Sequence, residues 1–506
     1  MSSNPRNARS SRSPTSEAED FQAGCFSRLL NFGRRRTETR EVEKAAPSCY
    51  TNPSTGGPEC DLPPYVQCIH GCEWYGADEA YKLSDAKLGS PPPYECESFM
   101  PEVVDTIENK LKELSPSLRE LSLDIWKHPE IMWEEKYAHD RLTAFMTAHG
   151  FSVTPHYLGI NTAFRAAYTH ESSEKKSRKS ARVIGVNSEM DALPGIGHGC
   201  GHNLIAMSGV AVAIAIKAAL EKHEIPGTVV LLGTPAEESG GGKIALLERG
   251  AYKEMDACIM SHPTSGPENF SGIWPGVACQ PIEVEFFGHG AHAASAPWEA
   301  QNALDAAFVA YASISALRQQ IKPDHRVHGI VLGRDWAPNV IPDYAKLRYI
   351  VRAPTWAELE ALRARVRACF DAAALATACK IEVKLGAGYF ELRNNDVLGG
   401  EYANVVGDRY GITTVSSKDG ANFSTDFGNV THALPALHPA YSIPTEPNGS
   451  NHTPQFTKSA ATEEAHAATL KVAAGLAATG VRVLADAQFA QQVKKFFEDT
   501  QGNAIA

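Results

Sequence analysis

The sequence predicts an α/β fold: a mostly parallel sheet covered by helices, with a smaller βαββαβ unit inserted into it. Three observations predict it. Between residues 181 and 263, short runs that are apolar almost throughout, "ARVIGVN", "GTVVLLGTPAEE" and "DACIMSHP", alternate with helical stretches. Strands without a polar face are buried on both sides, as in parallel sheets. The helix between the first two runs, "LIAMSGVAVAIAIKAALEKH", is apolar nearly all round, as suits a helix pressed against a sheet. Near Gln280 the texture changes to alternating strands such as "PIEVEFFG", each with one polar face.

Along the chain, residues 1–97 are rich in Ser, Arg, Pro and Gly with little apolar periodicity, and read as a disordered N-terminal extension. Six of the eleven cysteines lie there. "CIHGCEW" (Cys68, His70, Cys72) lacks a second ligand pair at zinc-finger spacing and reads as chance clustering. "PPPY" (Pro91 to Tyr94) fits the proline-rich motif that WW domains bind, so a WW-domain protein is a candidate partner. From Glu102, "VVDTIENKLKELSPSLRELSLDIWKHPE" has helical spacing, and Pro129 ends it. A strand at 182–187 leads through a glycine-rich segment into the apolar helix, and strands at 228–234 and 257–261 follow. The alternating strand after Gln280 begins the second unit. A helix near 302–320, the strands "RVHGIVLG" and "YAKLRYIVRA", a helix near 356–376 and the strand "KIEVKL" complete the order βαββαβ, a ferredoxin-like unit. The expected organisation is a main domain in two parts, 98–280 and 395–490, an insertion at 281–394 and a C-terminal tail at 491–506. The main domain finishes with a helix near 462–485.

At 506 residues the chain has room for two or three domains, and 43% hydrophobic with 21% charged residues marks most of it as globular. A net charge of −11 argues against a dedicated nucleic-acid binder. No run reads as the roughly 18–20 apolar residues of a membrane span. The run from Val210 to Leu220 is short and carries Lys217. Without a secretory h-region at the N-terminus, the cysteines read as reduced and the compartment as cytoplasmic. The Arg- and Ser-rich start resembles a mitochondrial transit peptide only weakly, because Glu17, Glu19 and Asp20 interrupt it.

The chemistry gathers at the strand ends. "LPGIGHGCGHN" places two histidines, a cysteine and four glycines within residues 193–203. By itself such a segment marks a tight turn as readily as a metal site. Open parallel sheets, however, bind ligands beyond the carboxyl ends of their strands. Asp191, Cys200 and His202 follow the first strand, Glu237 and Glu238 follow the second, and His262 closes the third. Three strands thus deliver metal-binding residue types to one edge. A thiolate can bridge two ions and selects zinc over magnesium or calcium. The glycines flanking Cys200 let the backbone fold tightly enough for Cys200 and His202 to converge.

The segments "SEMDALPGIGHGCGHN", "GTPAEESGGGKI", "AHAASAPWEAQNALDA", "PNVIPDYAKLRYIVRAP", "STDFGNV" and "NHTPQF" are similar, in consistent order over about residues 102–490, to peptidase family M twenty. The similarity is to its cysteine-containing amidohydrolase branch. That family contains aminoacylases, carboxypeptidase-like enzymes and dipeptidases that use two co-catalytic metals. The resemblance implies a metallopeptidase catalytic domain, with the insertion as lid and dimerisation domain, and hence a homodimer. It implies two divalent ions per subunit, zinc by the thiolate argument, with manganese or cobalt as alternatives. Cys200 would bridge them, His202 and His262 would complete one shell, and Glu238 and His452 the other. Asp191 would orient a ligand from outside, and Glu237 would be the general base.

His292, in "GAHAASAP", would donate to the oxyanion, in dimeric relatives from the partner subunit. Arg352 and Asn339 would hold the substrate carboxylate. The reaction implied is hydrolysis of the amide bond of a dipeptide or N-acyl amino acid. The metals would acidify a bridging water, whose proton Glu237 would take and pass to the leaving amine. "STDFGNV" (Ser424 to Val430) would line the site without an assigned role. The chain departs from the wider family at the usual His-x-Asp motif, which reads Glu189-Met190-Asp191. The cysteine branch shares that departure.

Other classes fit less well. A catalytically silent metal-binding scaffold recruited through "PPPY" would be marked by loss of Glu237 or a ligand, and all are present. A zinc-dependent nucleobase deaminase would need Pro-Cys-x-x-Cys, and a serine hydrolase a Gly-x-Ser-x-Gly elbow after a strand; neither is found.

Overall fold

The computed structural model describes residues 50–51, 58–59, 100–171, 181–417 and 422–502. The chain divides into two compact units, 1–75 and 76–506. In the first, strands β1 (Tyr50–Thr51) and β2 (Pro58–Glu59) pair antiparallel. The expectations for the extension as a whole, for Cys68 to Cys72 and for "PPPY" lie outside the described residues.

The second unit is built on a six-stranded sheet of β3 (Ser152–Pro155), β4 (Phe164–His170), β5 (Val183–Glu189), β6 (Gly227–Thr234), β7 (Ala257–Ile259) and β15 (Ala436–Leu437). Its order is β15-β7-β5-β6-β4-β3. The first four strands run parallel, and β4 and β3 add an antiparallel edge. Successive β6 side chains feed opposite cores. Val229 and Leu231 join one and Val230 and Leu232 the other, which is why the run has no polar face. The first core takes helices α1 (Pro101–Lys127), α2 (Lys136–Ala148), α3 (His202–Lys222) and α10 (Glu463–Ala485), with Leu398, Tyr402 and Val406 of α7 (Asp396–Tyr410). The second takes Leu246 of α4 (Gly242–Glu248) and Phe427 and Val430 of α8 (Phe427–Ala433). Within α3, Leu204, Ile214, Ile216 and Leu220 are fully or almost fully buried, each stabilising the fold by roughly 1.5–3 kcal/mol.

By length and apolarity alone, α3 and α10 would both qualify as membrane spans, contrary to the reading of the bare sequence. Their apolar surface is spent on the core: 89% of the most apolar stretch of α3 and 72% of that of α10 is buried within the chain. Residues 487–502, read mainly as tail, form helix α11 (Ala487–Gly502), whose Phe489 and Val493 join the first core.

A second correction moves a candidate ligand. The strand expected at 257–261 breaks after Ile259, and His262 opens a new strand, β8 (His262–Ser265). There it lies in register with Ala440 of β16 (Ala440–Ile443), in a sheet of order β14-β9-β16-β8 that also holds β9 (Phe270–Ile273) and β14 (Thr413–Ser416). The chain changes sheets at Met260 and Ser261, so one apolar run serves two sheets.

The remaining sheet is antiparallel, in the order β11-β12-β10-β13: β11 (Arg326–Gly333), β12 (Tyr344–Ala353), β10 (Ala278–Phe287) and β13 (Lys380–Leu385). Helices α5 (Ala303–Leu317) and α6 (Trp356–Thr377) pack on one face over Val284, Phe286 and Leu347, with Phe370 of α6 in the same core. Asn302 caps α5, its Oδ1 accepting from the Leu304 and Asp305 amides. The chain order of these elements is βαββαβ.

Candidate metal centre and substrate cavity

Cys200, His202 and His262 offer ligand atoms within 4.8 Å of one another, and so do Cys200, Glu238 and His452. Cys200 belongs to both groups. Four separate segments build them. Gly201 enters α3 at φ +80°, where a Cβ would come within 2.6 Å of Pro263, so only glycine lets the chain turn here. That turn places Cys200 just before the helix and His202 as its first residue. Glu237 and Glu238 lie in the loop after β6, and His262 begins β8. His452 reaches in from the loop before α9 (Pro454–Ser459), its amide donating to the Gly199 carbonyl at 2.8 Å.

The imidazole of His202 is fully buried, with Nδ1 3.1 Å from Asp191 Oδ1. Its Nε2 faces Glu189 Oε2 at 3.4 Å, Glu238 Oε1 at 3.9 Å and Glu237 Oε2 at 4.0 Å. Cys200 Sγ lies 3.3 Å from His262 Nε2, and Glu238 Oε1 lies 3.4 Å from His452 Nε2. His202 Nε2, Glu238 Oε1 and Glu189 Oε2 are buried without a hydrogen-bond partner. Buried polar atoms are ordinarily paired, and a cation among these would satisfy them. Thiolate, imidazole and carboxylate together suit a borderline ion such as zinc. The residues therefore fit a metal centre, with Asp191 fixing a ligand ring from behind.

The electrostatics are those of a carboxylate-rich pocket. Burial, and then the neighbouring Glu189 and Glu238, push Glu237 well above the usual carboxylate range. Burial opposes a charged His202, but Asp191, Cys200 and Glu189 together outweigh it and raise the ring. Burial pushes the Cys200 thiol up, and Glu238 adds to the effect.

Glu237, Glu238, Cys200, His262 and His452 line a cavity of about 580 Å³. Arg352 also lines it, Nη1 donating to Ser424 Oγ at 2.9 Å. His292 and Asn339 lie elsewhere: they are exposed, sit in adjoining loops joined by Ala293 N donating to the Asn339 carbonyl, and do not line the cavity.

The structure also brings in residues that sequence reasoning missed. Lys243 is fully buried, its Nζ 2.6 Å from both Glu189 Oε1 and Asp426 Oδ1. This pairing gives a buried partner to Glu189 and to Asp426 of the unassigned "STDFGNV" segment. A lysine inside "SGGGKI", in a stretch otherwise without charge, was the available signal. Tyr389 donates from its hydroxyl to the Glu237 carbonyl at 2.5 Å and accepts from the Gly241 amide. His438 lines the cavity beside His262, held neutral by burial, which lowers it to about 3.

Comparison with known proteins places the chain in a family. The model of Peptidase family M20/M25/M40 matches residues 185–498. Xaa-Arg dipeptidase of Mus musculus is 41% identical over 399 residues, which is 77% of this chain and 90% of that protein. One of the polypeptides of p-aminobenzoyl-glutamate hydrolase from Escherichia coli is 30% identical over 305 residues, 56% of this chain and 61% of that polypeptide. Among solved structures, a dinuclear metal binding peptidase of Bacillus subtilis superposes with a TM-score of 0.54 at 20% identity, covering 74% of this chain and 99% of its own. An aminobenzoyl-glutamate utilization protein from Klebsiella pneumoniae gives 0.56 at 18% identity, covering 74% and 98%. These two likenesses establish the fold, while the family match and the identity to the dipeptidase go further: the chain belongs to peptidase family M20/M25/M40 and is a hydrolase of that family.

Proposed function

We propose that this chain hydrolyses the amide bond of a dipeptide or N-acyl amino acid, with two divalent ions held around Cys200 and with Glu237 as general base. The observation that carries this reading is the membership of Cys200 in both ligand groups, beside a carboxylate pair facing the same cavity. Cys200, His202 and His262 would hold one ion, and Cys200, Glu238 and His452 the other. Zinc suits these donors, with manganese or cobalt as alternatives. When bound, such ions acidify water and polarise the scissile carbonyl.

The chain's own groups do the rest. Glu237 takes the proton from the attacking water and hands it to the leaving nitrogen. Its place on the cavity wall beside Glu238 suits both steps. Arg352, its guanidinium oriented by Ser424, grips the substrate carboxylate. The names of the relatives, Xaa-Arg dipeptidase and p-aminobenzoyl-glutamate hydrolase, support a substrate in which an amino acid follows an acyl group.

The 281–394 segment serves as lid and dimerisation domain. His292 would donate to the oxyanion, and Asn339 would help bind the carboxylate, in the cavity of a partner subunit. Their exposure supports this, as do the exposed apolar side chains of Phe308 and Val309 on α5, Ile330 on edge strand β11 and nearby Val340.

The test is hydrolysis of a panel of dipeptides, Xaa-Arg among them, and N-acyl amino acids by the metal-loaded protein and its Glu237→Gln variant. Wild type should release the amino acid. The variant should keep its metal while kcat falls by at least roughly 10²-fold. Near-normal turnover by the variant contradicts the assignment.

A further inference from the structure

Two non-glycine residues with left-handed backbone flank the candidate centre, Trp133 at φ 66° and Ala236 at φ 57°. Such conformations persist where the surroundings impose them. Here one atom touches both. Glu135 Oε1 accepts from the Trp133 amide at 2.9 Å and from the Ala236 amide at 2.8 Å. Glu135 is fully buried, and Ala236 immediately precedes Glu237.

Capping α2 does not account for Glu135. It occupies the position before the helix but makes no capping bond there. Glu130 does that work, its two oxygens accepting from the Tyr137 and Ala138 amides at 3.0 and 3.1 Å. The next turn of the 235–241 loop is held separately, the Glu238 amide donating to Asp191 Oδ2 at 3.0 Å. Trp133 also packs on this loop, its indole lying 2.6 Å from where a Cβ on Gly240 would be.

We propose that Glu135 is a positioning residue for the general base: its carboxylate clamps the left-handed turn at Ala236 and so aims Glu237 into the cavity. The inference rests on the reading of Glu237 as base. Glu135 works as a hydrogen-bond acceptor, and its charge is incidental. Glutamine keeps Oε1 in place, and its amide can donate to the buried Thr162 Oγ1 beside the other oxygen. Methionine keeps the length and loses the acceptor.

The experiment compares Glu135→Met, Glu135→Gln and Glu130→Ala in the full-length, metal-loaded protein, measuring kcat, KM, bound metal and Tm, with Glu237→Gln in parallel. A small displacement of a catalytic group can cost about 10²-fold. Glu135→Met should lose about that much in kcat, with KM and metal content unchanged, and Glu135→Gln should stay within about threefold of wild type. Glu130→Ala should lower Tm and leave kcat within the same margin. Hydrogen exchange on wild type supplies a readout if the methionine variant does not fold: the Ala236 amide should be protected, and rapid exchange there overturns the clamp. The proposal is also overturned if Glu135→Met retains kcat or loses its metal, if Glu135→Gln is as impaired as Glu135→Met, or if Glu130→Ala costs as much turnover. High turnover by Glu237→Gln would instead remove the general-base reading, a separate failure.

Discussion

Two groups of charges in this molecule use the same chemistry at different depths of burial. Beneath the cavity, Lys243 bridges Glu189 and Asp426 with all three side chains out of solvent. On the outer face of the antiparallel sheet, Glu283 meets Lys346 at 2.5 Å and Arg348 at 3.3 Å, with Arg348 61% exposed. In the buried group, Lys243 holds Glu189 ionised against the pull of burial, and that carboxylate stands 3.4 Å from the candidate ligand His202. In the second group Glu283 and Lys346 are half-buried and Arg348 is exposed, so water reaches the pairs, which decorate a strand interface. Similar distances therefore carry different meanings: the first arrangement adjoins the candidate metal centre, and the second should tolerate change.

Substitutions can break this contrast. Lys243→Met should be the most damaging to the fold, because it strands two buried carboxylates. The expected loss is about 3–5 kcal/mol, measured by urea unfolding. A variant as stable as wild type would show that the network is not the keystone its burial suggests. His292→Ala tests whether an exposed residue can matter as much to catalysis as a buried one. Loss of an oxyanion donor typically costs about 10²–10³ in kcat, and metal content should be unchanged. Mixing this variant with Glu237→Gln should recover part of the activity in heterodimers, and a monomer fully active at all dilutions would refute the shared site. Glu283→Gln should be the mildest, changing stability by less than about 1 kcal/mol. A larger loss would place that ladder in an interface.

The contrast also marks what the sequence discloses. The order of the candidate site residues was legible because Cys200, His202, Glu237 and Glu238 follow apolar runs long enough to identify as strands. The two flanking helices of the βαββαβ unit were legible for the same reason, being 15 and 22 residues long. Strands of two to four residues, such as β15 and β16, are too short for any period to emerge. The start of β8 was hidden because one apolar run crosses between sheets without a turn signal. Lys243 and Asp426 are 183 residues apart, and the Glu135 contact to Ala236 spans 101. Pairings at that range arise from tertiary packing and leave no local pattern. Glu135 itself looks, in "HPEIMWEE", like one of several acids at a helix start.

The central claim is that one thiolate serves two ions. Its most direct test is bound zinc per chain, measured by elemental analysis after chelation and reloading, for wild type, His452→Ala and Cys200→Ser, with dipeptide hydrolysis assayed on the same samples. Wild type should hold two ions and His452→Ala one, and Cys200→Ser should bind both more weakly, with activity at background. Two tightly held ions and near-normal hydrolysis in Cys200→Ser would contradict it.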